Sequence, residues 1–171
     1  MTDKKETQLK LKHIESKVKE LAKRDKFYID KEKTQFIYYY PKFSKTKVQE
    51  LFVDLNESIE YVAKNDLPFP ANDLEVMQYT QFLIIKHFTS LKAELQNKSY
   101  EVHIETMYKL IETGLFERFM NEMFDLAEVY DLLDELDKLA QVGLELVNLE
   151  KAQQEELKEK LQSNFLKKED G

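Results

Sequence analysis

The chain has 171 residues, 42% hydrophobic and 35% charged, which is enough apolar material for one well-solvated core and too much for a disordered chain. Three glycines and three prolines leave little material for tight turns, so long helices are favoured over a sandwich or barrel. With no cysteine, a disulfide framework, a thiolate zinc site and a cysteine nucleophile are all excluded.

The net charge of −7 is unevenly spread: Lys and Arg outnumber Asp and Glu by 14 to 8 over residues 1–50, and are outnumbered 3 to 13 over residues 101–150. The basic third does not read as a nucleic-acid surface. Its lysines alternate with Glu15, Glu20, Asp25, Asp30 and Glu32, and Arg24 is its one arginine for planar phosphate or base recognition. The two ends of the charge gradient are expected to meet, within the chain or between copies. Residues 1–7 lead into alternating charges rather than the apolar core of a signal peptide. The apolar cluster Phe82-Leu83-Ile84-Ile85 is far short of the roughly 20 residues a membrane span needs. The expectation is a cytoplasmic protein, off the membrane.

In chain order, Leu9, Leu11, Ile14, Val18 and Leu21 fall on one narrow stripe, predicting an amphipathic helix over residues 5–24. Phe27-Tyr28-Ile29 and Phe36-Ile37-Tyr38-Tyr39-Tyr40, separated by a polar turn and closed by Pro41, predict a short antiparallel hairpin. Two strands alone are marginal, so the hairpin must lie on a helix or pair with another chain. Ser44 or Thr46 is placed to cap a helix whose buried stripe is Val48, Leu51, Phe52, Leu55, Ile59 and Val62. Leu67-Pro68-Phe69-Pro70 is a linker, because each proline pushes the preceding residue out of the helical region.

Asn72 or Asp73 caps the next helix, predicted to run through Leu74, Met77, Phe82, Ile85, Phe88, Leu91 and Leu95 as the most buried element. A further helix over residues 100–113 is closed by Gly114 in the left-handed region. The apolar run Phe116, Phe119, Met120, Met123 and Phe124 leads into Val129, Leu132, Leu133, Leu136 and Leu139, as one helix or as two with a bend near Asp125. Beyond Gly143 the stripe thins to Leu146, Leu149, Leu157, Leu161 and Phe165. The prediction is a mainly α protein: a bundle of about five helices with a small N-terminal β-hairpin and an extended C-terminal helix. Residues 1–24 form a charged amphipathic helix, 25–143 a compact helical domain with the hairpin, and 144–171 a helical extension.

No chemical constellation stands out. None of His13, His87 and His103 has a carboxylate three residues before it, as a di-iron bundle requires, and no two lie on adjacent helical turns as in a zinc helix. Gly114, Gly143 and Gly171 are too scattered for a phosphate-cradling loop. Asp125, Glu128, Asp131, Asp134, Glu135 and Asp137 have helical spacing rather than that of a calcium loop. The expectation is therefore no catalytic residue, no metal and no cofactor.

Two features suit partner binding. Tyr38, Tyr39 and Tyr40 place rings on both faces of a strand, so at least one must point away from the packed face. Phe116, Phe119, Met120, Met123 and Phe124 cover more of a helix than one buried face requires, which fits either an adaptable surface or ordinary core.

The phrases Tyr39-Tyr40-Pro41-Lys42-Phe43, Phe82-Leu83-Ile84-Ile85-Lys86-His87-Phe88 and Leu110-Ile111-Glu112-Thr113-Gly114-Leu115-Phe116, in this order of elements, resemble small tail-gene-block proteins of phages from Gram-positive hosts, in particular tail assembly chaperones. The resemblance spans about two thirds of the chain. It implies a non-enzymatic helical protein in the host bacterial cytoplasm that coats the long, apolar, helical tape-measure protein until tail subunits polymerise around it. The charged N-terminal helix and long C-terminal extension depart from the compact forms of that family. The alternative from another class is an adaptor that self-associates into homo-oligomers through its terminal helices.

Overall fold

The computed structural model describes residues 8–169. The side chains of residues 144, 146, 147, 150 and 156 onward are outside that description, and the stripe positions Leu146, Leu157, Leu161 and Phe165 fall among them. The chain divides into two units, residues 1–132 and 133–171.

The amphipathic stripe near the N-terminus produces helix α1, Leu11–Leu21, whose first turn is closed by His13 Nδ1 accepting from the Lys10 amide. None of its residues is buried, and Leu11, Ile14 and Val18 are 70%, 46% and 59% exposed. The apolar face exists, and among the described residues nothing covers it.

The hairpin forms as predicted, from β1, Asp25–Tyr28, and β2, Phe36–Tyr39, antiparallel with Lys26 opposite Tyr38 and Phe27 opposite Ile37. Its turn has no Asn-Gly, and Asp30 takes over that role. The carboxylate accepts from the Thr34 and Gln35 amides at 2.9 and 3.0 Å and from the Thr34 hydroxyl, while Lys33 adopts a positive φ of 57°. These bonds, led by that from Gln35, hold the Asp30 carboxyl below its ordinary pKa.

Helix α2, Lys45–Asn65, starts at Ser44, whose side chain makes no cap bond, and ends where Asp66 turns left-handed. Helix α3, Asp73–Phe88, begins with a reciprocal cap: Asn72 Oδ1 accepts from the Glu75 amide and Glu75 Oε2 from the Ala71 amide. From Phe82 to Phe88 every residue of α3 is buried, which makes it the centre of the core. It packs on α2, where the Tyr79 and Ser58 hydroxyls meet at 2.9 Å.

Helix α3 ends earlier than its apolar spacing predicts. The helix does not continue through Leu91 and Leu95, because Thr89 is extended, with φ −129° and ψ 175°. The backbone around it is recruited by the hairpin: Tyr40 N donates to Phe88 O at 2.9 Å and Ser90 N to Tyr38 O at 2.8 Å. A strand edge that would otherwise face solvent gains partners, and helix α4, Leu91–Leu95, restarts separately.

Helix α5, Tyr100–Glu112, closes at Gly114 with φ 71°, as the sequence required. Helix α6, Leu115–Arg118, then opens into a π-helical turn, Phe119–Met123, and an extended Phe124. Asp125 Oδ1 accepts from the Ala127 amide to start helix α7, Leu126–Glu169. The protein is mainly α, with the N-terminal hairpin and the long last helix. Among the described residues, no helix is long and apolar enough to cross a membrane.

Candidate interaction surfaces

Strand alternation divides the hairpin into two faces. The inner face carries Phe27, edge-on to Phe119 at 5.8 Å, the buried Ile37, and Tyr39, edge-on to Phe124 at 6.2 Å. Arg118 ties this face down by donating to Ile29 O at 2.8 Å while its guanidinium covers the Phe27 ring. At the end of β2, Lys42 and the Phe43 amide reach the Glu128 carboxylate at 2.7 and 2.9 Å. The basic and acidic parts of the chain do meet at this point.

The outer face holds Lys26, Tyr28, Phe36 and Tyr38, the rings between 36% and 41% exposed. Each ring has a cation above it: Lys33 over Tyr28, Lys26 over Phe36 at 4.2 Å, and Arg24 over Tyr38 at 5.3 Å. Lys47 continues the row at 4.3 Å from the half-buried Tyr40. The row runs into a concavity of about 220 Å³ lined by Arg24, Tyr40, Lys47, Ser90, Lys92 and Gln96, among others.

A second cluster lies between α2 and α3. Asp54 accepts from Lys86 Nζ at 2.5 Å and bonds His87 Nε2 at 2.8 Å, with Lys86 and His87 both buried. Burial alone would raise the Asp54 carboxyl, but its bonds to His87 and Lys86 outweigh that and hold it at about 2. Burial pushes His87 below its ordinary pKa against the pull of Asp54. An open cleft of about 380 Å³ reaches this cluster, with Glu50, Glu57, Lys92 and His103 also on its walls. His87 Nε2 is engaged by Asp54 and Nδ1 is sealed from solvent without a partner, so neither ring nitrogen is offered to a molecule in the cleft. The arrangement fastens two helices together, and proton transfer to a bound substrate would need a free nitrogen. Among the described residues no group of three or more His, Asp or Glu is placed to hold a metal ion.

The partner-binding residues read from the sequence separate. Tyr38 faces outward, Tyr39 faces inward and is half-buried, and Tyr40 lines the concavity. Phe116, Phe119, Met120, Met123 and Phe124 are all buried, at 8% exposure or less, and belong to the ordinary core. Positions 116, 119, 120, 123 and 124 have the spacing of a single helical face, and the core takes all five. The cation above each ring was missed by sequence reasoning. The only trace of it in the sequence is that Arg24, Lys26, Tyr28, Phe36, Tyr38 and Tyr40 share one parity.

These features define a mainly α protein centred on one buried helix, with a hairpin clamped to the core on one face and studded with aromatic and cationic side chains on the other. The chain belongs to the YomO family, whose model matches residues 11–169, from the first residue of α1 to the last of α7. The family name is that of a phage-region, Bacillus prophage-like protein. No curated protein and no solved structure matches the chain.

Proposed function

We propose that the protein is a non-enzymatic assembly factor of a phage or prophage, acting in the bacterial cytoplasm as a tail assembly chaperone that holds an apolar helical polypeptide such as the tape-measure protein. The observation that carries this reading is α1. Its stripe of Leu11, Ile14, Val18 and Leu21 is as regular as that of a core helix, yet no residue of it is buried. A stripe of this kind is a helix-pairing face, and the lysines beside it keep the free protein in solution. The family match supports the phage setting, and because it begins at the first residue of α1, that helix is part of the shared chain.

The second reading is self-association, in which α1 pairs with a copy of itself. Light scattering of the full chain and of a chain lacking residues 1–21, each with and without an apolar amphipathic client peptide, separates the two. A chaperone keeps the client soluble in proportion to its concentration and loses that capacity with α1. A self-associating adaptor is an oligomer without any client and becomes a monomer on truncation. Full client solubilisation by the truncated chain would remove α1 from the chaperone reading, and an unchanged oligomer would remove it from the second.

A further inference from the structure

Along the sequence, acidic residues interrupt the basic N-terminal third, but folding takes Asp25 and Asp30 off the hairpin's outer face and pairs Glu50. Asp25 lies opposite Tyr39 on the inner register, Asp30 is taken up by the turn, and Glu50 is paired with Lys92. What remains outward is a row of rings, each with a cation above it, ending in a concavity that gathers Arg24, Lys47 and Lys92. Among the described residues neither Arg24 nor Lys47 has a carboxylate within ion-pair distance. Burial lowers the Lys47 pKa, with the charges of Lys92 and Arg24 adding to it and Glu50, paired with Lys92, opposing.

We propose that the outer face of the hairpin and the concavity at its base bind single-stranded nucleic acid, one backbone phosphate seated among Arg24, Lys47 and Lys92 and bases packed against Tyr38, Phe36 and Tyr28. The concavity suits a tetrahedral phosphate, with the Ser90 hydroxyl and the Gln96 amide on its wall as further donors. Exposed rings interleaved with cations form the arrangement on which unpaired bases stack without sequence preference. A duplex presents phosphates but hides its base faces, so it engages only half of the site. An acidic peptide neutralises the cations and leaves the rings without planar partners. The site is separate from the stripe of α1, so this inference and the proposed chaperone role can each fail alone.

The test is fluorescence anisotropy of labelled oligothymidylate, about fifteen nucleotides long, titrated with the full chain at increasing salt. Because the protein has nine tyrosines and no tryptophan, tyrosine emission reports ring stacking directly. The expected result is binding in the micromolar range at low salt, weakening with salt and quenching tyrosine emission. Arg24→Ala and Lys47→Ala should each reduce the salt slope by about 0.7. Tyr38→Ala and Phe36→Ala should each weaken binding on the order of tenfold, while Tyr38→Phe should bind as the parent does. Alanine variants that melt and bind like the parent overturn the proposal, as does equal affinity for a duplex of the same length. If poly-L-glutamate of matched charge competes as well as unlabelled oligothymidylate, the face belongs to an acidic polypeptide and the proposal fails.

Discussion

Asp54 on α2 and His87 on α3 lie 2.8 Å apart, and the same carboxylate oxygen takes Lys86 Nζ at 2.5 Å. One acceptor thus serves two buried donors from the central helix. Removing it with Asp54→Ala leaves an ammonium and an imidazole in the interior unpaired. The expected cost is about 3–5 kcal/mol, read as a lower urea midpoint with unchanged slope. Asp54→Asn keeps one acceptor oxygen and should cost less. A loss below about 1 kcal/mol for the alanine variant would mean that Lys86 reaches water and that the cluster does not join the helices.

The same cluster sets the response to acid. Asp54 has a folded pKa of about 2 against an ordinary 3.8, so the unfolded chain binds that proton more readily. Its contribution is complete above about pH 4 and is lost as pH falls through about 2, on the order of 1–2 kcal/mol once solvent screening is allowed for. His87 and His103 are also held below their ordinary value, chiefly by burial, with the charge of Lys86 adding to it and Asp54 opposing. Their folded forms resist protonation, so stability also falls as pH drops below about 6.5. Urea midpoints should therefore decline from pH 7 to 5 and again below pH 4. A midpoint that rises toward pH 5 would show that the histidines gain, rather than lose, interactions on protonation.

How much of this was legible depended on sequence distance. The hairpin was readable because aromatic and β-branched runs flanking a polar turn, closed by Pro41, are local signals, and Gly114 because a left-handed helix end asks for glycine. The end of α3 was not readable. Thr89 leaves the helix so that Phe88 O and Ser90 N can bond Tyr40 and Tyr38, about fifty residues earlier, while the apolar spacing through Leu91 and Leu95 still looks helical. Asp54, Lys86 and His87 were missed for a similar reason, since a search for carboxylates one turn from a histidine cannot find a partner on another helix. The π turn over Phe119–Met123 was not readable either, because it has no strong sequence signature.

Two glycine substitutions should change stability in opposite directions. Gly114 has φ 71° and open space around its Cα, so Gly114→Ala introduces backbone strain without a clash and should cost about 1 kcal/mol. Gly143 lies within α7, with nothing within 4 Å of an added Cβ and no positive φ. Gly143→Ala there should raise helix stability by up to about 1 kcal/mol. Thermal unfolding by circular dichroism checks both, and equal shifts of the same sign would contradict the assignment of Gly114 as a helix terminator.

Deleting residues 1–21 tests whether α1 is part of the fold or a surface for something else. None of its residues is buried, and the hairpin is held through Arg118, Glu128 and the Thr89 bridge, all of which remain. The truncated chain should melt within about 2 °C of the full one, because a helix that buries no side chain adds little to the unfolding free energy. A drop of about 10 °C would instead mean that α1 packs on its own chain in solution. The exposed stripe of Leu11, Ile14 and Val18 would then have a partner already, and the proposed client or second copy would have to bind elsewhere.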